Sequence, residues 1–105
     1  MPSSVSVQEA AARQAAGAVL VDVREPDEIA AIAAAGAIAV PLSEIQRLGA
    51  EAFRQAGVDP MHGGLLLICR SGARSGMVCD AIGDSAINVE GGMLAWQAAG
   101  LPVRG

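Results

Sequence analysis

The sequence LLLICRSGARSGM, residues 65–77, joins an apolar strand to a helix and decides the fold. Its first part, 65–69, is apolar without interruption, which is typical of a strand buried on both faces of a parallel sheet. A short loop follows, and a helix is predicted over 74–82. This loop lies at the carboxyl end of its strand, where parallel sheets bind ligands. The stretch therefore predicts both a fold class and the place of a site.

Strand-like and helix-like segments alternate along the whole chain. Ser6 and Glu9 form a capping box that begins the first helix, and Pro26 suits the first residue of another. The predicted elements are helix 7–16, strand 18–23, helix 26–35, strand 37–40, a short helix capped by Ser43 and Gln46, helix 51–56, strand 65–69, helix 74–82, strand 87–89, and a last helix that follows Gly91 and Gly92 to residue 99. This alternation predicts one α/β domain over 1–105, with a parallel sheet of about five strands and helices on both faces.

Composition narrows the classes of function. The chain carries a net charge of −4, with one Trp, one Phe and no Tyr. An acidic chain without a basic stripe or aromatic stacking platforms is a poor candidate for binding nucleic acid or an anionic membrane. We expect no membrane span, because no apolar run reaches about 18 residues without a charge. The first residues do not resemble a signal peptide, so we expect a cytoplasmic protein with reduced thiols.

The loop CRSGARS, residues 69–75, places a thiol beside groups that bind anions. The helix that follows stabilises negative charge at its N-terminus. Gly72 and its small neighbours allow the loop to curl, so that successive amides point inward. Arg70 and Arg74 add positive charge. Because the thiolate is the reactive form of cysteine, the pattern predicts that Cys69 is a nucleophile; the alternative is a buried cysteine before a solvated turn.

Four segments in order resemble the signatures of single-domain rhodaneses, the thiosulfate sulfurtransferase family. They are VLVDVREPDE (19–28), GAIAVPL (36–42), CRSGARS (69–75) and GGMLAWQAAGLPV (91–103). The resemblance covers nearly the whole length and implies a single rhodanese-like domain. One segment departs from it: where many rhodaneses read G-H-I-P-G-A, this chain reads IAAAGA, residues 32–37. We expect this change to affect donor specificity and efficiency.

The resemblance also implies a mechanism and its partners. Cys69 would take sulfur from a small anionic donor, such as thiosulfate, a polysulfide or a low-molecular-weight persulfide, and hold it as a persulfide. It would pass the sulfur to cyanide, glutathione, thioredoxin or another protein thiol, with no cofactor and no metal. Two arginines would guide the donor and loop amides would cradle the outer sulfur. The implied site is Cys69 as the catalytic residue, with Arg70, Ser71, Gly72, Ala73, Arg74 and Ser75 as substrate-binding residues.

Three other functions are consistent with parts of the pattern. A sulfur-carrier or binding module would load sulfur at Cys69 but turn over poorly alone. A cysteine phosphatase or arsenate reductase is disfavoured, because the loop between Cys69 and Arg74 is one residue shorter than in cysteine phosphatases. A smaller nest suits one sulfur atom better than a tetrahedral phosphate. A purely structural domain would leave Cys69 unreactive.

Asp22 and Arg24 end the first predicted strand, where a charged pair is more often structural than catalytic. Arg24 stands four residues before Glu28, so these two are expected to pair. Cys79 could be a resolving thiol for Cys69. We favour a core role instead, because Cys79 shares one helical face with Ser75, Val78 and Ile82.

Two further residues are interpreted as structural. His62 is the only histidine, and it has no second ligand at metal-binding spacing, so we interpret it as a loop residue. Trp96 in the last helix is interpreted as a core or pocket-rim residue whose N–H needs a partner when buried.

Overall fold

The computed structural model describes residues 3–83 and 85–105, which form an α/β domain. The elements are, in chain order, β1 Ser3–Val5, α1 Val7–Ala15, β2 Leu20–Asp22, α2 Pro26–Ala31, β3 Ala33–Ala34, β4 Ile38–Ala39, α3 Leu42–Leu48, α4 Glu51–Gln55, β5 Leu65–Ile68, α5 Ala73–Ile82, β6 Ala86–Val89, α6 Gly92–Ala98 and β7 Val103–Arg104. None of these helices is long and apolar enough to cross a membrane.

The main sheet has five parallel strands in the order β1-β6-β5-β2-β4. Its centre is β5, all of whose residues are buried. Side chains alternate across the sheet: Leu65 and Leu67 pack with one core, and Leu66 and Ile68 with the other. The first core includes residues of α4 and α5, and the second includes residues of α1 and α6. The predicted parallel sheet of about five strands with helices on both faces is confirmed.

The predicted helix over 26–35 is too long, because α2 ends at Ala31. Ile32 is extended, with φ −162° and ψ 141°, and Ala33–Ala34 pair antiparallel with Val103–Arg104. The amide of Ala35 then donates to the carbonyl of Pro102 at 3.0 Å. Alanine has the highest helix propensity of all residues, but propensity is a small local preference that tertiary contacts override. Here the pairing with a distant segment overrides it.

The predicted capping role of Ser43 is wrong. The residue before α3 is Pro41, which has no capping side chain, and Ser43 lies inside the helix. The Ser43 hydroxyl and amide both donate to the carboxylate of Glu25, at 2.5 and 3.2 Å. Sequence reasoning also missed the short strands β1 and β7, which pair with segments far away in the chain.

Candidate active site

The sulfur of Cys69 lies at the carboxyl end of the central strand β5, where the loop turns into α5. Gly72 is the residue before the helix and has φ +102°, a backbone conformation that residues with a side chain rarely adopt. A Cβ at this position would lie 3.4 Å from the amide nitrogen of Gly91. The glycine thus permits both the turn and the close packing of the loop against the segment after β6.

Hydrogen-bond donors surround the Cys69 sulfur. The amide of Gly72 donates to Sγ at 3.1 Å, and the Ser75 hydroxyl lies 3.3 Å from it. Burial by itself raises the pKa of the Cys69 thiol. Hydrogen bonds from the Ser75 hydroxyl and from the amides of Ser75, Gly72 and Ser71 outweigh this, so that the pKa lies below that of an ordinary thiol. The arrangement therefore stabilises a thiolate, the nucleophilic form of cysteine.

The start of α6 holds the loop carbonyls. The amide of Met93 donates to the Cys69 carbonyl at 2.8 Å, and that of Leu94 to the Arg70 carbonyl at 3.1 Å. Gly92, with φ +53°, allows this approach, because a Cβ there would lie 2.6 Å from the carbonyl carbon of Arg70. With their carbonyls bound on this side, the loop residues present their amides to the sulfur. The segment GGM thus shapes the site through the backbone of the loop.

The two loop arginines differ in their surroundings. Arg74 forms a two-pronged ion pair with the Glu28 carboxylate of α2, at 2.7 and 2.9 Å. Arg74 lowers the pKa of Glu28 to about 2, and Glu28 in turn raises the pKa of Arg74. Arg70 is exposed and has no ion-pair partner within residues 3–83 and 85–105. Of the two, Arg70 presents the freer charge to an incoming anion.

The pair formed by Asp22 and Arg24 is buried, with Nη2 of Arg24 2.8 Å from Oδ2 of Asp22. Arg24 also donates to the carbonyls of Glu28 and Ile32, at 3.4 and 2.7 Å. These contacts tie the end of β2 to the end of α2, as a structural pair does. The expected pairing of Arg24 with the Glu28 carboxylate is wrong, because that carboxylate binds Arg74.

The family comparison agrees with this geometry. The rhodanese-like domain matches residues 6–99. The chain belongs to the rhodanese-like domain family. No curated protein matches the sequence.

Solved structures share the fold of this rhodanese-like domain. A rhodanese-related protein from Thermoplasma volcanium is 25% identical, with a TM-score of 0.77 and 97% of each chain covered. The human single-domain sulfurtransferase TSTD1 is 27% identical, with a TM-score of 0.74, covering 93% of this chain and 97% of that one. A Rhodopseudomonas palustris protein of unknown function, described as a possible tyrosine phosphatase, is 22% identical, with a TM-score of 0.76 and coverage of 98% and 85%. At that identity the likeness shows the fold alone.

Three residues outside the loop lie where the sequence indicated. Cys79 is buried in the core beside Val78, and burial, Asp80 and Cys69 raise the pKa of its thiol to about 11. His62 is exposed in the segment before β5. Trp96 is buried, and its indole N–H donates to the carbonyl of Pro102 at 2.8 Å.

Sequence reasoning missed two residues of the rhodanese-like site, Glu28 and Asn88. Asn88 on β6 lies 2.6 Å from the Ser75 hydroxyl through its Oδ1, and its Nδ2 donates to the Gly72 carbonyl at 3.1 Å. A polar residue inside the apolar strand segment INV was the available signal for Asn88. Glu28 carried no such signal, since its partner Arg74 is distant in sequence.

Proposed function

We propose that this rhodanese-like protein is a sulfurtransferase that carries a sulfane sulfur on Cys69. The observation that carries the proposal is the set of donors around the Cys69 sulfur, which lowers the pKa of its thiol despite burial. Family membership and the likeness to a human protein named a single-domain sulfurtransferase support the same reaction class. We propose thiosulfate or a related persulfide or polysulfide as the donor.

The reaction consists of two exchanges at divalent sulfur. The Cys69 thiolate attacks the outer sulfur of thiosulfate, the S–S bond of the donor breaks, and sulfite leaves with the bonding electron pair. Cys69 then holds a persulfide whose outer sulfur carries negative charge. Cyanide or an acceptor thiolate attacks that outer sulfur, and the Cys69 thiolate leaves with the electron pair of the broken bond. Each exchange conserves charge and needs no external oxidant or reductant.

The loop residues have separate roles in this proposal. Arg70, exposed at the mouth of the loop, attracts the anionic donor. Arg74 was expected to bind the donor too, but its guanidinium is engaged by Glu28, so we assign it to holding α5 against α2. The amides of Ser71, Gly72, Ala73, Arg74 and Ser75 are proposed to cradle the outer sulfur.

The acceptor is proposed to be a thiophile that can reach a sulfur within the curled loop. Cyanide, glutathione, thioredoxin and other protein thiols share this chemistry, and no cofactor enters the cycle. Phosphatase chemistry is less well supported. The loop is short, and the arginine that ends it is held by Glu28, which leaves Arg70 as the exposed arginine of the loop.

The test is the intact mass of the protein after incubation with thiosulfate, measured beside Cys69→Ala and Cys79→Ala. The proposal predicts a gain of one sulfur atom, reversed by cyanide, in the unmodified protein and in Cys79→Ala, and no gain in Cys69→Ala. Turnover with thiosulfate and cyanide then separates an enzyme from a carrier, which loads once and releases slowly. No mass gain with thiosulfate, polysulfide or a persulfide donor would refute sulfur transfer at Cys69.

A further inference from the structure

The Ser75 hydroxyl has two acceptors beside it and one hydrogen to donate. Its Oγ lies 3.3 Å from the Cys69 sulfur and 2.6 Å from Oδ1 of Asn88. A hydroxyl donates one hydrogen bond at a time. When the hydrogen is directed to Asn88, Ser75 presents only lone pairs to the sulfur. The two acceptors therefore compete for the same hydrogen.

The orientation of the Asn88 amide is fixed by the loop itself. Its Nδ2 donates to the carbonyl of Gly72 at 3.1 Å. If the amide were flipped, its oxygen would face the Gly72 carbonyl, and two acceptors would meet. The unflipped amide directs Oδ1 to Ser75, where a carbonyl oxygen can only accept. Asn88 is thus a permanent competitor for the Ser75 hydrogen.

The Ser75 hydroxyl donates to a different acceptor in each protonation state of Cys69. In the thiol state, the S–H of Cys69 donates to Ser75 and the Ser75 hydroxyl donates to Asn88, so every group has a partner. In the thiolate state, the Ser75 hydroxyl turns to the sulfur and Asn88 loses its donor. We propose that Asn88 is a positioning residue that withholds the Ser75 hydrogen from the sulfur and so sets the fraction of Cys69 present as thiolate.

This competition is one influence among several on the sulfur. Amides of the loop donate to it directly, and Arg74 interacts electrostatically with Cys69. The charged and titratable groups on the loop and the elements around it are Arg70, Arg74, Cys79 and Asp80 on α5, Glu25, Asp27 and Glu28 at the start of α2, the Asp22–Arg24 pair at the end of β2, and Glu90 after β6. All of these remain when only Asn88 is changed, so variants at this position report on Asn88 and its own contacts.

The importance of Asn88 for turnover rests on the proposed sulfur transfer, but the test below does not require any transfer. The thiolate absorbs in the ultraviolet, and the chain has no Tyr whose ionisation would overlap. In a Cys79→Ala background the titration of this absorbance reports Cys69 alone. Asn88→Leu removes the competing oxygen, and Asn88→Asp replaces it with a charged one. Both variants lose the donation to the Gly72 carbonyl, and Asn88→Asp also places a negative charge beside that carbonyl. The decisive comparison is therefore Asn88→Leu with and without the Ser75 hydroxyl.

We expect the two variants to shift the thiolate-to-thiol ratio of Cys69 in opposite directions. At neutral pH, Asn88→Leu raises the thiolate-to-thiol ratio of Cys69 by about tenfold, the equivalent of one ordinary hydrogen bond. Asn88→Asp lowers this ratio by a similar factor, because a carboxylate holds the Ser75 hydrogen more strongly and repels the thiolate. In a Ser75→Ala background, Asn88→Leu changes the ratio by less than about twofold, because the Ser75 hydroxyl hydrogen is absent.

Other results would overturn the proposal. If Asn88→Leu and Asn88→Asp shift the ratio in the same direction, or if neither shifts it, Asn88 acts only by supporting the loop. An effect of Asn88→Leu that persists in Ser75→Ala would contradict it as well. Trp96 fluorescence verifies folding, and Asn88→Ala carries the same expectation as Asn88→Leu if the latter does not fold. A failure here leaves the mass test of Cys69 loading unaffected.

Discussion

Cys69 and Cys79 belong to one strand–loop–helix unit, and each is 1% exposed, yet the pKa values of their thiols move in opposite directions. Burial raises both pKa values. Both cysteines belong to the same apolar core, but Cys69 also has amides and a hydroxyl that donate to its sulfur. The comparison shows that burial alone does not set the pKa of a thiol in this domain. The donors within hydrogen-bond reach of the Cys69 sulfur reverse the effect of burial.

The largest expected effect is on turnover: removing the Cys69 thiol abolishes it, whereas removing the Cys79 thiol does not. Because only Cys69 lies in the donor-lined loop, we expect Cys69→Ala to reduce thiosulfate–cyanide turnover to the background without protein. The matched variant Cys79→Ala keeps turnover within about twofold and loses about 1 kcal/mol of stability from the smaller side chain. Equal losses of turnover in both variants, measured with folded protein, would contradict the distinction.

The next effect concerns the glycine that lets α6 approach the loop. In Gly92→Ala a Cβ would lie 2.6 Å from the Arg70 carbonyl carbon at a positive φ, so the loop must shift. We expect a loss of about 2–4 kcal/mol in urea unfolding and about a hundredfold lower turnover.

The control for that substitution is Gly100→Ala, at φ +70° with nothing within 4 Å of the added Cβ. It carries backbone strain of about 1–2 kcal/mol but leaves the loop in place. If Gly92→Ala and Gly100→Ala have equal stability and equal turnover, the contact between Gly92 and the loop does not shape the site.

A smaller effect isolates one donor to the sulfur. Ser75→Ala removes the hydroxyl that can donate to the Cys69 thiolate, so the thiolate-to-thiol ratio at neutral pH falls by about tenfold. Ultraviolet titration in a Cys79→Ala background measures the ratio. The control is Ser85→Ala, which removes a hydroxyl that donates to the Pro60 carbonyl at 2.8 Å. The account fails if both serine variants leave the ratio unchanged.

The smallest effect concerns the ion pair between α2 and α5. The pKa of Glu28 is lowered from 4.5 to about 2, so the pair's contribution to stability is full above about pH 4.5 and is lost as the pH falls toward 2. We expect Glu28→Gln to be less stable than the unmodified protein by about 1 kcal/mol at pH 7. The difference narrows across that acidic window in urea unfolding.

The exposed pair of Glu44 and Arg47 supplies the comparison for this substitution. Glu44→Gln should change stability by less than about 0.5 kcal/mol at either pH. A Glu28→Gln protein with the same stability as the unmodified chain at pH 7 would show that the Arg74 pair adds nothing measurable.

The sequence predicted the elements that are defined by local pattern. The apolar run of β5, the Ser6 cap before α1 and the glycine turn before α5 all lie where expected, although the Glu9 carboxylate binds Arg13 and does not complete a capping box. The errors occur where pairing with a distant segment determines the secondary structure. The alanines after α2 favour helix locally, but their backbone pairs with Val103–Arg104.

The same distinction applies to the site: residues in contiguous motifs were predictable, and contacts between distant segments were not. The cysteine, its loop and the glycines after β6 could be recognised from the sequence. They form contiguous motifs whose residue types indicate a strand-end thiol, a curled loop and a tight turn. The partner of Arg74 and the amide of Asn88 could not be predicted, because each contact joins residues on different elements. The distinction between Cys69 and Cys79 was predicted from their positions, one at a strand end and one on a buried helical face.

The most direct test of this distinction is an ultraviolet thiolate titration of two single-cysteine proteins. Cys79→Ala reports Cys69, and Cys69→Ala reports Cys79. We expect a midpoint below that of an ordinary thiol for Cys69. For Cys79 we expect a midpoint above that of an ordinary thiol but below 11, because Cys69→Ala removes the smallest of the three causes that raise its pKa. Coincident midpoints, or a lower midpoint for Cys79, would contradict the claim that the donors around the Cys69 sulfur overcome its burial.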